Sequence, residues 1–129
     1  MKKVLIVIIS LFILFNIIGY LIHGVMLGNM YAQTANFWRP APEMKLVLIN
    51  FVTLVHCIMF VWIYSLLSKK GIMAGLKFGL LYGIAYGFGM GFGTYSSMPI
   101  PLYMAYAWFL GTTVQFTLGG LVTGAIIKE

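Results

Sequence analysis

Four long apolar runs, separated by short polar breaks, account for nearly the whole of this 129-residue chain. Each run is long enough to cross the roughly 30 Å hydrocarbon core of a bilayer as a helix. The runs predict transmembrane helices over residues 4–27, 44–67, 72–92 and 102–127. We therefore expect an all-α membrane protein, a four-transmembrane-helix bundle that forms one membrane domain over residues 1–129.

The first run begins after Lys2 and Lys3, as a signal peptide would, but stays apolar as far as Leu27. A signal peptide has an apolar region of about 7 to 15 residues followed by a small-x-small cleavage site. No such site stands near the end of this run. We expect an uncleaved first span.

The three breaks between the runs differ in composition. The outer connector, residues 28–43, combines aromatic residues with Pro40 and Pro42, which is typical of a segment along the membrane surface. The second break is a tight turn that ends in Gly71, a residue able to adopt positive φ. The third, residues 94–101, is a short turn that contains two prolines.

The basic residues are distributed unevenly between the two sides of the predicted bundle. If both termini are cytoplasmic, the inner side carries Lys2, Lys3, Lys69, Lys70, Lys77 and Lys128, and the outer side carries Arg39 and Lys45. This bias follows the positive-inside rule and predicts that both termini lie inside. It also explains the net charge of +6 without nucleic acid, for which the chain has no basic cluster with interleaved aromatics.

The third span carries a glycine at every fourth position, at Gly75, Gly79, Gly83, Gly87 and Gly91. Small residues at this spacing allow two helix backbones to approach closely, as in glycine-zipper packing. Four residues advance about 400° around a helix, so the stripe drifts by about 40° per step. We expect two successive packing faces, in which Gly79 and Gly87 contact different partner helices.

An offset of 59 residues superposes part of the second half of the chain on the first. It aligns Pro40 with Pro99, Pro42 with Pro101 and Lys69 with Lys128. The offset allows a parallel repeat of two helices, each half beginning on the inner side. The identities are few enough for shared apolar composition to produce them as well.

Four polar residues lie at similar predicted depth near the bilayer midplane: Asn16, His56, Tyr82 and Gln115. A histidine at this depth is costly and typically marks a ligand site or an ion pathway. Polar side chains of these types also hold transmembrane helices together without any ligand. The sequence leaves both interpretations open.

A second candidate site lies near the outer end of the first span, at His23, Met26 and Met30. An imidazole with thioethers suits a soft ion such as Cu(I), although methionine is also common filler in membrane helices. Haem ligation by His23 and His56 is disfavoured within one chain, because their predicted depths differ by roughly 10 Å. We predict no cofactor, with haem or copper as the alternatives.

Chemistry that the chain lacks narrows its function further. Both carboxylates, Glu43 and Glu129, lie outside the predicted spans, which argues against a proton-coupled antiporter of the small multidrug type. The sequence has no catalytic triad, metal motif or phosphate loop, so we do not expect an enzyme. The single cysteine, Cys57, cannot form an intrachain disulfide.

One series of motifs resembles a known group of proteins. It comprises His23-Gly24, Tyr31, Thr34, Trp38-Arg39-Pro40 and Glu43-Met44, followed by the glycine-rich third span and a Pro-x-Pro turn. The series is similar to uncharacterised small four-span bacterial inner-membrane proteins, for which no activity is established. The resemblance implies a bacterial cytoplasmic membrane protein and suggests that the outer connector is more than a linker.

Three functions follow from these patterns. The first is a non-enzymatic membrane protein that acts through helix contacts, as a homo-oligomer or as an accessory subunit of a larger membrane complex. Its motivation is a glycine groove longer than one intramolecular crossing requires. The alternatives are a small transporter or channel with the midplane residues as its site, and a protein that binds haem or a soft metal at His23.

Overall fold

The computed structural model describes residues 1–128, and over that range the chain is helical with no strand. Its elements are α1 (Lys2–Gly19) continued by a π-helix (Tyr20–Met26), α2 (Gly28–Gln33), 3-10 turns at Ala35–Phe37 and Ala41–Glu43, α3 (Leu46–Ser65), α4 (Ile72–Phe88) continued by a π-helix (Gly89–Gly93) and α5 (Thr94–Ser97), and α6 (Leu102–Ile126). Four continuous helices are long and apolar enough to cross a membrane: Lys2–Met26, Leu46–Ser65, Ile72–Ser97 and Leu102–Ile126. The predicted all-helical chain with four such helices is confirmed. Glu129 lies outside the described residues.

The turn between α3 and α4 is organised by one buried tyrosine. Gly71 has φ +107°, which confirms the positive φ predicted for it. Its N–H donates to the phenolic oxygen of Tyr64 at 2.9 Å. The Tyr64 hydroxyl in turn lies 3.2 Å from the carbonyl oxygen of Gly71 and 3.4 Å from that of Ile127. Tyr64 thus joins the end of α3, the start of α4 and the end of α6.

The third long helix continues to Ser97, beyond the predicted end at residue 92. The polar residues that the hydropathy pattern assigns to a turn bond back to the helix instead. Thr94 donates its hydroxyl to the Met90 carbonyl at 2.6 Å, and Ser96 donates to that of Gly93 at 2.7 Å. Bonds of this kind, from a hydroxyl to a carbonyl three or four residues earlier, are common for serine and threonine inside helices.

α4 and α6 form an antiparallel pair whose backbones nearly touch. A Cβ atom built on Gly75 would lie 2.1 Å from the carbonyl oxygen of Gly120. At the other end of the pair, a Cβ atom on Gly91 would lie 2.3 Å from the carbonyl oxygen of Ala105. Backbone atoms of α6 therefore occupy the space that side chains would need along the whole glycine stripe.

The predicted division of this stripe between two partner helices is wrong. A Cβ atom on Gly79 would meet the Phe116 carbonyl oxygen at 2.2 Å, and one on Gly87 would meet that of Phe109 at 2.8 Å, so both glycines face α6. The glycines repeat every four residues, which is more than the 3.6 residues of one helical turn. Such a stripe keeps facing the same neighbouring helix when the two helices wind around each other in the right-handed sense. The wider turns of the π-helix at Gly89–Gly93 reduce the drift further. The groove is therefore closed within one chain.

α1 packs against a different face of α6, where two further glycines receive large side chains. The Phe15 ring approaches to 2.8 Å from a Cβ atom built on Gly119, and Ile22 approaches to 2.6 Å from one built on Gly111. Phe15 also packs edge-on against Phe116, with ring centroids 5.1 Å apart. This places Phe116 at the centre of the apolar core, where it is 2% exposed.

α3 joins the bundle only at its turn end, the half next to Ser68–Gly71. The residues buried there are Cys57, Phe60, Val61 and Tyr64. We call residues 46–52 the connector-end segment of α3, and every residue in it is exposed, with Val47 at 87%. A helix inside a bundle buries at least one face. Within residues 1–128, no helix therefore covers a face of the connector-end segment.

Candidate functional site

The first candidate site is a hydrogen-bonded cluster that joins α1, the connector and α6. The indole N–H of Trp108 donates to the phenolic oxygen of Tyr31 at 2.9 Å. The same oxygen lies 2.7 Å from Nδ1 of His23. A phenolic hydroxyl can donate one hydrogen bond and accept others, so Tyr31 can accept from Trp108 while it forms a second hydrogen bond with the His23 imidazole.

The connector adds a second pair of hydrogen bonds to this cluster. Trp38 donates its indole N–H to the Thr34 hydroxyl at 2.8 Å, and Thr34 donates to the Met30 carbonyl at 2.7 Å. The Trp38 ring packs edge-on against Tyr31 and Trp108, with ring centroids 5.3 and 6.0 Å apart. We call His23, Tyr31, Thr34, Trp38 and Trp108 the connector-end network.

Tyr31 lies in the connector and is the central hydroxyl of this network. Burial raises the pKa of its phenol, and the hydrogen bond from Trp108 lowers that pKa by a smaller amount. The phenol therefore stays protonated at neutral pH and keeps a hydrogen to donate. The network fixes the path of the chain from α1 to Trp38 rather than leaving it a loose linker.

The three predicted metal ligands have different surroundings in the structure. His23 engages Tyr31 through Nδ1, Met26 is 58% exposed, and Met30 packs on the apolar cluster around Leu27. Among residues 1–128 no group of three His, Cys, Asp or Glu side chains comes close enough to hold a metal ion. Nε2 of His23 has no hydrogen-bond partner among residues 1–128.

The second candidate site is an aromatic cluster halfway along the helices, around Phe116. The ring centroids of His56 and Tyr82 lie 6.3 and 4.8 Å from that of Phe116. Tyr86 completes the group, 5.0 Å from His56 and 6.4 Å from Tyr82. We call His56, Tyr82, Tyr86 and Phe116 the midspan cluster. It brings together two of the four predicted midplane residues.

The other two predicted midplane residues lie apart from this cluster. Asn16 is exposed, and its amide donates to the Phe12 carbonyl of its own helix at 2.9 Å. Gln115 is half-buried and makes no hydrogen bond within residues 1–128. It lies four residues from both Gly111 and Gly119, so it shares the α6 face that packs against α1.

The polar atoms of the midspan cluster have no hydrogen-bond partners within the described chain. This holds for the imidazole of His56 and for the hydroxyls of Tyr82 and Tyr86, all of which are partly exposed. In the interior of a bilayer no water is available to replace such partners. The cluster can therefore offer two hydroxyl donors and one imidazole to a bound group.

Two residues of these sites, Tyr86 and Trp108, are not among the site residues predicted from the sequence. Tyr86 lies four residues after Tyr82, a spacing that places both on one helix face and could have identified it. Trp108 is 77 residues from Tyr31, and no local pattern links them.

The chain matches no protein family model, no curated protein and no solved structure.

Proposed function

We propose that this chain is a non-enzymatic membrane protein that acts by binding another transmembrane helix along the connector-end segment of α3. The contact would be made within a homo-oligomer or with another subunit of a larger membrane complex. The observation that carries the proposal is that residues 46–52 are exposed on every side of the helix. The remainder of the bundle leaves this stretch free for a partner.

A polar residue within the segment distinguishes it from an ordinary lipid-facing surface. Asn50 is exposed, and its amide donates only to the Leu46 carbonyl one turn away, at 3.0 Å. Its carboxamide oxygen and second N–H remain available. Asparagine at a lipid-exposed position stabilises helix association, because the alternative is an unsatisfied polar group in hydrocarbon.

The glycine stripe no longer supports this function, since α6 covers it from Gly75 to Gly91. A partner that used the stripe would have to displace α6. The proposed contact instead uses a helix whose turn end is fixed in the core by Phe60 and Tyr64, both fully buried. That anchoring presents the other end in a defined orientation, which lowers the entropy lost on binding.

Disulfide cross-linking in native membranes tests this proposal. Cys57→Ala removes the single cysteine, and Val47→Cys then places a thiol on the connector-end segment. We expect mild oxidation to yield a cross-linked species for most of the Val47→Cys protein. A species of twice the 14.4 kDa chain mass identifies a homo-oligomer, and another mass identifies a different subunit. Adding Asn50→Leu should lower the yield of the cross-linked species about fivefold, because the free energy of helix association would weaken by about 1 kcal/mol.

Val25→Cys in the same cysteine-free background is the matched control. Val25 is 61% exposed and lies one residue from the connector end of its span, as Val47 does. We expect little cross-linking from Val25→Cys. Equal yields at both positions would indicate random collision, and the absence of a double-mass species at Val47 would exclude a homo-oligomer formed through this segment. Either result contradicts the proposed contact between copies of this chain.

A second candidate function is a small transporter or channel that uses the midspan cluster. It is favoured by the unpartnered imidazole and hydroxyl groups of His56, Tyr82 and Tyr86 at membrane depth. In proteoliposomes, His56→Ala should lower the flux of the transported species about tenfold, the effect of losing about 1.4 kcal/mol of binding. His23→Ala removes the other histidine and should leave flux unchanged. If the wild-type protein moves no ion, metal or small organic molecule, this function is wrong.

A further inference from the structure

A shallow depression lies at the turn end of the bundle, between the turn that follows α3 and the first turns of α4. Its polar lining comes from Ser68, Lys69 and Lys77, which are at least partly exposed, and from Tyr82, which it shares with the midspan cluster. Phe78 and Leu81 contribute an apolar wall below them. The depression lies at the opposite end of α3 from the connector-end segment, so it is independent of the proposed helix contact.

Neither lysine of the depression has a compensating negative charge among residues 1–128. Lys69 and Lys77 form no ion pair or hydrogen bond with any residue in that range. Glu43, the carboxylate within it, belongs to the connector at the other end of the helices. Within the described residues, two positive charges therefore stand beside an apolar surface without an acidic partner.

The depth of Lys77 fits a ligand at the membrane surface. It is the sixth residue of α4, so its Cα lies about 7.5 Å along the helix from the first residue. A lysine stem at this depth extends toward the headgroup layer, where its ammonium meets lipid phosphates. The Lys69 ammonium, in the turn above, faces the same layer. The two cations thus flank one headgroup position.

The depression combines two lysines with an apolar wall, and this combination favours one kind of ligand over others. A soluble anion would use the lysines but leave Phe78 and Leu81 without a ligand. An apolar partner helix would bring the two ammonium groups against hydrocarbon, which is costly. A phospholipid with an anionic headgroup satisfies both parts, since its phosphate pairs with the lysines and an acyl chain lies along the apolar wall.

We propose that this depression is a binding site for an anionic phospholipid. Lys69 and Lys77 hold the headgroup phosphate, and the Ser68 hydroxyl is placed to donate to it. One acyl chain packs along Phe78 and Leu81. The bound lipid neutralises the turn that Tyr64 and Gly71 organise.

Native mass spectrometry of the detergent-solubilised protein tests this site with two lipids of identical acyl chains. We expect phosphatidylglycerol to bind at lower concentration than phosphatidylcholine. In the double variant Lys69→Gln, Lys77→Gln, the dissociation constant for phosphatidylglycerol should rise about 30-fold, since each lysine near an anionic lipid contributes about 1 kcal/mol. The exposed positions of both lysines leave the fold unchanged, which far-UV circular dichroism checks.

Lys2→Gln, Lys3→Gln is the matched control, because it removes two exposed lysines from the same end of the bundle but outside the depression. We expect this variant to bind phosphatidylglycerol nearly as the wild type does. Equal losses in both double variants would show that general surface charge, not a site, attracts the lipid. Equal binding of phosphatidylcholine, or displacement of the lipid by millimolar inorganic phosphate, would also overturn the proposal.

Discussion

Replacing Gly79 with alanine is expected to destabilise the folded chain by about 3 kcal/mol. The added Cβ would lie 2.2 Å from the carbonyl oxygen of Phe116 and 3.0 Å from Cα of Gly120. Both are backbone atoms, so the clash cannot be relieved by rotating a side chain, and α4 must move away from α6. Thermal unfolding in detergent, followed by far-UV circular dichroism, measures the loss as a lower unfolding temperature.

Gly89→Ala is the control for this substitution within the same continuous helix. A Cβ atom on Gly89 would have nothing within 4 Å, so we expect unchanged or slightly higher stability from the better helix propensity of alanine. Gly87→Ala should weaken the same contact as Gly79→Ala but less, because its nearest backbone oxygen is 2.8 Å away. A Gly79→Ala protein as stable as Gly89→Ala would contradict the close packing of α4 on α6.

The four long helices could be predicted because membranes impose a simple rule. A chain that crosses hydrocarbon must satisfy its backbone groups internally, so an apolar run of about 20 residues is a helix. The glycine spacing in the third span likewise indicated close backbone approach. The spacing could not identify the partner helix, because a stripe on one helix does not specify how a neighbouring helix winds along it.

The partner surface on α6 explains why one helix covers the whole stripe. Small residues lie at its ends, with Ala105 against Gly91, and Gly120 and Gly124 against Gly75. In the middle, the glycines of α4 meet backbone atoms of Phe109, Thr113 and Phe116. The α6 side is therefore not a continuous stripe of small residues, and α6 carries other glycines that receive α1. A pattern shared between two partners is hard to assign from sequence.

Residue counting along a helix does not say which residues face its neighbours. Asn16 has a depth similar to that of His56 by residue counting, but it follows Phe15, which takes the inward position against Gly119. One residue turns the helix by about 100°, so Asn16 is exposed. The contact between Tyr31 and Trp108 depends on tertiary folding of the connector, which no local pattern specifies.

The two ends of the bundle differ in how completely they are packed. At the turn end, Tyr64 links three chain segments, and halfway along the helices the core around Phe116 fixes α1, α3, α4 and α6. At the connector end, the network around Tyr31 ties α1 to α6 but leaves residues 46–52 exposed. A helix partner at that end would complete the bundle without disturbing its core.

Phe116→Ala is expected to destabilise the chain by about 3 to 5 kcal/mol, the largest effect of any single side-chain truncation considered for this fold. The Phe116 ring is 2% exposed and contacts rings from three other helices, including those of Phe15, Phe60 and Tyr82. Its removal leaves a cavity that these rings cannot fill without losing their mutual contacts. Thermal unfolding in detergent should show the loss, together with a changed near-ultraviolet signal from the tyrosines.

Phe51→Ala is the matched control, since Phe51 is 59% exposed on the connector-end segment and its truncation should barely change the stability of the monomer. Phe116→Leu keeps most of the volume and should cost about 1 to 1.5 kcal/mol, giving a folded protein in which the ring contacts of His56 and Tyr86 with Phe116 are absent. If Phe116→Ala and Phe51→Ala unfold at the same temperature, the core is not centred on Phe116. If only Phe51→Ala lowers cross-linking at Val47, the two ends act separately, as the packing predicts.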